Sequence, residues 1–164
     1  MVLIGRTPER GVGIPFSYVW GDAIEELHRV GPAARIVNVE TSVTRSDDYW
    51  VGKGINYRMH PENVPSLTSA RIDVAVLANN HVLDYGLVGL QETLDTLRRA
   101  GLRTAGAGRD LAEAERPAVV ALAEQARLIV FAFGLESSGI PPSWAARRER
   151  PGVSLLGDLS QRTA

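Results

Sequence analysis

Residues 72–86 read IDVAVLANNHVLDYG, and this stretch decides the fold. Its first half, residues 72–78, is a nearly continuous apolar run, which is typical of a strand covered on both faces of a parallel sheet. A polar loop follows, and then leucines recur at helical spacing as Leu87, Leu90, Leu94 and Leu97. A buried strand that leads through a loop into an amphipathic helix predicts an α/β protein.

The chain before this stretch alternates in the same way. Asp22 with Glu25 resembles a capping box and predicts a helix that ends at Gly31. Residues 35–40 form a short Val/Ile-rich strand, residues 41–60 a long loop, and residues 61–69 a short helix. Helices and strands are therefore predicted to alternate from the helix that begins at Asp22.

The chain after residue 100 continues with a strand at 102–105 and a short helix that begins at Asp110. Residues 118–123 and 128–133 read as the two strands of a hairpin, beyond Gly134 the pattern dissolves, and residues 158–164 look like the opening turn of a helix. Together these segments predict one α/β layered domain over residues 1–164, with a largely parallel core sheet.

Composition excludes several classes of function. The 164 residues carry 18 Lys+Arg and 19 Asp+Glu, so the chain lacks the basic excess that nucleic acids or a polybasic membrane surface require. The absence of cysteine excludes disulfides, thiolate metal sites and a Cys nucleophile. Residues 1–11 are too polar for a signal peptide, and no apolar run approaches a membrane span, so a cytoplasmic protein is expected.

Polar side chains follow two of the predicted strands. Asn38 and Glu40 end the first and share a face, because side chains two apart on a strand point the same way. Asn80 and His81 follow the strand at 72–78. If the two strands are parallel neighbours, these groups meet at one edge, where α/β sheets bind ligands.

This donor set suits a divalent cation, Mg²⁺ or Mn²⁺ through the oxygens and Zn²⁺ or Fe²⁺ through the imidazole. His81 could act as a general acid, and Asp84 could fix its tautomer by accepting a ring N–H. Plainer interpretations stand beside these: loop-turn hydrogen bonds for the asparagines, a solvated carboxylate for Glu40, and helix capping for Asp84.

Three other features have both a functional and a structural interpretation. Gly106-Ala107-Gly108 could cradle an anion before a helix, although a tight turn is the commoner use. The arginines at 147–150 read as a solvated loop. Trp50 and Trp144 read as core or lid packing.

The string at 78–86, taken with Asn38-Val39-Glu40 and residues 106–108, resembles the CapA family of poly-γ-glutamate capsule-synthesis proteins. Residues 137–142 and 151–153 resemble the family as well. The resemblance implies a calcineurin-like metallophosphoesterase fold, with sheet layers flanked by helices and metals held at strand ends. It also implies Asn80 and Glu40 as metal ligands with Asn38 beside them, and His81 as the residue that handles the proton.

The chain also departs from the family pattern. A first strand that ends in Gly-Asp is expected before the segment that begins here at Met1-Val2-Leu3-Ile4, and later histidine motifs are expected as well. The sequence therefore predicts the N-terminal portion of the domain, without its first strand and its C-terminal half. A dinuclear metal centre would then lack several ligands.

Two hypotheses of function follow. The first is a metal-dependent hydrolase of capsule metabolism that acts on polyglutamate or a phosphoester. The second is a non-catalytic remnant or binding module that self-associates or pairs with a complementing chain, because a partial domain exposes sheet edges.

Overall fold

The computed structural model describes residues 13–160. The expectations about a leader and a missing first strand concern residues 1–12, which lie outside this range. The helices are α1 Ala23–Val30, α2 Pro65–Ser69, α3 Gly86–Arg99 and α4 Leu111–Glu115. The strands are β1 Ile36–Asn38, β2 Ser42–Val43, β3 Arg58–Met59, β4 Val74–Val76, β5 Arg103–Ala105, β6 Ala107–Gly108, β7 Ala118–Ala121, β8 Arg127–Val130 and β9 Gly152–Val153.

The central sheet consists of three parallel strands in the order β1-β4-β5. Val74 of β4 lies opposite Ile36 of β1 on one side and Arg103 of β5 on the other. The expected parallel core sheet and the mixed α/β class are therefore confirmed. The middle position of β4 accounts for its apolar sequence, because both of its edges and both of its faces are covered.

Apolar clusters lie on the two faces of β4. Ala75 belongs to a core with the α3 leucines, whereas its neighbour Val74 packs with Ala118 and Val120 of β7. Leu90, Leu94 and Leu97 are fully buried, and each contributes about 2 kcal/mol through burial. Leu87 was expected in the same stripe but is 39% exposed, because it lies in the first turn of α3 beside an open cleft.

The smaller sheets were predicted only where the pairing is local. The β7–β8 hairpin is confirmed, with Val119 opposite Ile129. The segment 41–60 was expected to be all loop, yet its ends form the parallel pair β2–β3. The segment after Gly134 contains β9, which pairs with β6. Both missed pairs have two-residue strands, too short to show a pattern.

Two helix signals were wrong in detail. Asp22 precedes α1 as expected, but its side chain makes no capping hydrogen bond, because its backbone is already helical. Residues 158–160 form no helical turn, and residues 161–164 lie outside the described range. By contrast, the Asp110 carboxylate does cap α4 by accepting from the Glu113 N–H at 2.7 Å. Across residues 13–160, none of the helices is long and apolar enough to cross a membrane.

Candidate functional site

The carboxyl ends of β1 and β4 lie side by side. Asn38 pairs with Val76 in register, and the Val39 N–H donates to the Val76 carbonyl at 3.0 Å. The chain segments that carry Asn38 and Glu40, and Asn80 and His81, therefore leave neighbouring strands at one edge, as expected.

Asn79 joins these two segments, a role that sequence reasoning did not assign to it. Its Nδ2 donates to Asn38 Oδ1 and to the Val39 carbonyl, both at 3.0 Å, and its Oδ1 accepts from the His81 N–H at 3.0 Å. Asn79 is 6% exposed, so these bonds are shielded from water. Its amide therefore sets the position of the His81 backbone relative to β1.

Asn38 and Glu40 point to the same side, as the strand alternation predicts. Asn38 Nδ2 donates to Glu40 Oε2 at 3.1 Å, and both residues are exposed while Val39 is 5% exposed. Within the described part of the chain, the Glu40 carboxylate bonds to Asn38 and makes no bond to Asn80 or His81. The structure thus places the two segments together without joining these side chains.

His81 and Asp84 form a buried pair. The His81 Nδ1 atom lies 2.6 Å from Asp84 Oδ2, and the two side chains are 9% and 0% exposed. The alternative interpretation of Asp84 as a helix cap is wrong, because Tyr85 occupies the N-cap position of α3 and Asp84 points inward. The Ser42 hydroxyl donates to the His81 carbonyl oxygen at 3.1 Å, which fixes the backbone of this loop.

Lys53 and Tyr57 complete the surroundings of this pair, and sequence reasoning missed both. Lys53 Nζ lies 2.5 Å from Asp84 Oδ1 and also donates to the Asn80 carbonyl. The Tyr57 N–H donates to Asp84 Oδ2 at 2.7 Å, and its ring stacks on the His81 ring with centroids 4.1 Å apart. One signal was available: Lys53 is the only lysine in the sequence.

These contacts determine the tautomer of His81. Lys53 Nζ also lies 3.1 Å from Nδ1, but if Nδ1 accepted from Lys53, its 2.6 Å contact with the Asp84 carboxylate would join two acceptors. The consistent assignment has the Nδ1–H donating to Asp84. The lone pair is then on Nε2, which is the arrangement of a histidine oriented by a carboxylate for proton transfer.

The metal ligands expected from the sequence are Glu40, Asn80 and Asn38. Among residues 13–160, no three His, Asp or Glu side chains come together in a group that could hold a metal ion. Asp84 cannot serve, because both of its oxygens are engaged by Lys53, Tyr57 and His81. One carboxylate with amide oxygens falls short of the first shell that a divalent cation needs, so the described residues alone do not fit one.

The segment 106–108 does not form an anion cradle. Gly106 has φ +92, and a Cβ atom there would lie 2.7 Å from the Ala78 Cβ, so this glycine allows close packing against the end of β4. The Asp110 carboxylate already occupies the N-terminus of α4, where an anion would bind.

A charged contact anchors the loop that carries Lys53. Glu92 of α3 accepts from the Thr44 hydroxyl at 2.5 Å and from the Arg45 N–H at 2.8 Å. Burial acts to raise the pKa of Glu92, but the hydrogen bonds from Thr44 and Arg45 and the charge of Arg45 outweigh it and hold this pKa below its ordinary value. The start of the loop is therefore fixed to α3.

Comparison with known proteins finds a matching family model and similar sequences. A family model described as bacterial capsule synthesis protein PGA_cap matches residues 2–163. A probable polyglutamine synthesis accessory protein of Mycobacterium tuberculosis is 44% identical over 158 residues, which cover 96% of this chain and 41% of the relative. The PGA biosynthesis protein CapA of Bacillus subtilis is 28% identical over 158 residues, covering 93% of this chain and 39% of CapA. The chain thus spans about two fifths of the length of these relatives.

Proposed function

The chain belongs to the PGA_cap family of bacterial capsule synthesis proteins, and we therefore propose that it takes part in forming a polyglutamate polymer. The proposal is supported by the names of its relatives, a polyglutamine synthesis accessory protein and a PGA biosynthesis protein. We further propose that the whole domain has the layered metallophosphoesterase-like fold. The mixed α/β core around the three-stranded sheet is consistent with one part of such a fold.

His81 is the proposed proton-handling residue of a hydrolytic reaction, in which its unprotonated Nε2 takes a proton from the attacking water and then delivers that proton to the leaving group. The observation that carries this proposal is the buried contact of 2.6 Å between His81 Nδ1 and Asp84 Oδ2 at the carboxyl edge of the sheet. Asp84 is the positioning residue, because it acts through the imidazole. A polyglutamate or phosphoester substrate is proposed for this site.

A divalent metal remains part of this proposal, with Glu40, Asn80 and Asn38 as ligands that further donors would have to complete. Elemental analysis of the purified protein tests it: a bound metal that is lost on Glu40→Ala and Asn80→Ala is the expected result. Protein that binds no Mn, Fe, Zn or Mg after incubation with each would end it.

A cytoplasmic location is likewise proposed, and cell fractionation tests it.

The experiment for the function compares two histidine variants in the organism that makes the protein. We expect His81→Asn to abolish polymer production, whereas His28→Asn, on the exposed side of α1, leaves the yield unchanged. Both variants must accumulate at the level of the unmodified protein. Normal yield with a stable His81→Asn protein would overturn the proposed role.

A non-catalytic binding module is the second candidate, and one observation favours it. The outer face of the β7–β8 hairpin and the residues after it expose a row of apolar side chains: Val119 at 40%, Ile129 at 53%, Phe131 at 58% and Phe133 at 48%. The proposed occupant is the same face of a second copy. Analytical ultracentrifugation tests it: a dimer that dissociates on Ile129→Lys supports self-association, and a monomer at all concentrations rejects it.

A further inference from the structure

We propose that the cleft beside the His81–Asp84 pair binds a glutamyl chain, with Arg150 holding one of its carboxylates. This inference rests on the proposed function and names the place where the polymer would bind.

The cleft has a volume of about 680 Å³ and lies between the loop at residues 48–52 and the segment 143–151. Its aromatic wall consists of Tyr49, Trp50 and Trp144. The rings of the two tryptophans have centroids 5.4 Å apart and planes inclined by 47°. Such faces pack well against the methylene groups and amide planes of a peptide-like chain.

Arg150 supplies the positive charge of the cleft, whose lining also includes the exposed acidic residue Asp48. It is half-buried, and within the part of the chain that the structure describes no carboxylate forms an ion pair with it. Other half-buried arginines have partners: Arg58 pairs with Asp47, and Arg109 pairs with Glu113. A guanidinium partly removed from water without an acceptor is unfavourable, and a ligand carboxylate would satisfy it in a bidentate contact.

The turn at 147–150 fixes where Arg150 lies. The Arg147 N–H donates to the Arg150 carbonyl at 3.0 Å, and the Arg150 N–H donates to the Arg147 carbonyl at 3.1 Å. This pairing closes the turn and places the side chain of its last residue on the cleft wall. The guanidinium of Arg150 complements the carboxylates of an acidic polymer, whereas the exposed Arg148 of the same turn does not line the cleft.

Lys53 connects the cleft to the proposed reaction site. Its Nζ lies 5.5 Å from the centroid of the Trp144 ring and contacts Asp84 at 2.5 Å. The backbone N–H of Trp50 also donates to the Asp84 carbonyl at 2.9 Å. A chain that is held by Arg150 and lies along the tryptophans would therefore pass next to the residues that orient His81.

Tryptophan fluorescence offers a direct test with the whole protein. Titration with oligo-γ-glutamate should change the emission of the cleft tryptophans, and the change should persist in Trp20→Phe but diminish in Trp50→Phe. Trp20 is a suitable control because its Nε1 is bound to the Ser66 carbonyl, outside the cleft. Arg150→Gln should weaken binding about tenfold or more, as loss of a charged hydrogen bond predicts.

Arg148→Gln is the matched control in the same turn, because Arg148 is exposed and does not line the cleft. Its affinity should stay within about twofold of the unmodified protein, an effect typical of an exposed charge. Equal weakening by both variants, no response to the oligomer, or equal binding of inorganic phosphate would overturn the proposal. These results are independent of polymer yield in His81→Asn, so failure of the cleft and failure of the proposed reaction can be distinguished.

Discussion

Asp84 Oδ2 lies 2.6 Å from His81 Nδ1, and the same carboxylate also accepts hydrogen bonds from Lys53 Nζ and from the Tyr57 backbone N–H. A fully buried carboxylate is stable only when its oxygens are satisfied, and here two segments of the chain satisfy them. The orientation of His81 therefore depends on a residue of its own loop and on the distant segment 53–57.

Asp84→Asn should lower the free energy of unfolding by about 2–3 kcal/mol. The change leaves Lys53, whose side chain is 18% exposed, without its carboxylate partner, and breaking a buried pair costs more than breaking an exposed one. Denaturant unfolding measures this loss. Asp95→Asn is the control, because its carboxylate is half exposed and pairs with Arg109 at the surface, and it should cost less than about 1 kcal/mol. Equal losses in the two variants would contradict the prediction.

Asn79→Ala should cost about 2 kcal/mol or more, whereas Asn80→Ala should cost less than about 1 kcal/mol. The first change leaves the His81 N–H without its buried acceptor and removes one of two donors to the Val39 carbonyl, which still accepts from the Thr41 N–H at 2.9 Å. The side chain of Asn80 makes no hydrogen bond among the described residues, so its removal leaves no orphaned group. Thermal or denaturant unfolding of the two neighbouring variants compares them, and the reverse order would show that the link between the strands is made differently.

Gly106→Ala should destabilise the protein by about 3 kcal/mol, because it adds both a positive-φ penalty and an overlap. Its Cβ would lie 2.7 Å from the Ala78 Cβ and 2.8 Å from the Ala132 Cβ. Gly157→Ala is the control, since nothing lies within 4 Å of its Cβ position. A stable Gly106→Ala variant with an unchanged melting temperature would refute the packing described for this edge.

Glu92→Gln should cost about 1 kcal/mol near neutral pH, and the cost should shrink in acid. The pKa of Glu92 is lowered in the folded protein, so its stabilisation is present in full above pH 4.5, the ordinary value, and is lost as the pH falls through the lowered pKa. Unfolding of both proteins across this range measures the difference. A difference between Glu92→Gln and the unmodified protein that stays constant across this range would exclude the predicted linkage.

The elements that the sequence predicted are those with a local cause. The helix α3 follows from leucines three and four residues apart, and the β7–β8 hairpin follows from two apolar runs with a short connection. The strands β2 and β9 have two residues each and are formed by partners that lie far away in the chain. No periodicity can develop over two residues, so only tertiary structure defines them.

The candidate site divides in the same way. The contact between His81 and Asp84 could be predicted because the two residues lie three positions apart in one loop. The partners Lys53 and Tyr57 come from a segment whose position depends on β2–β3 pairing and on the bond from Thr44 to Glu92, neither of which leaves a local pattern. The Asn38 Oδ1 atom receives a bond from Asn79 rather than from Asn80, which depends on how the loop turns after β4.

The central position of β4 has a consequence for the synthesis of the protein. Residues 36–40 emerge from the ribosome first, yet their neighbour in the sheet is not translated until residues 74–76. Until then, the segment 41–73 is a long connection whose second strand is still missing. Contacts between residues so distant in sequence form slowly. A nascent chain halted before residue 74 would present the edge of β1 uncovered, and it is at this stage that the polypeptide most needs protection from aggregation.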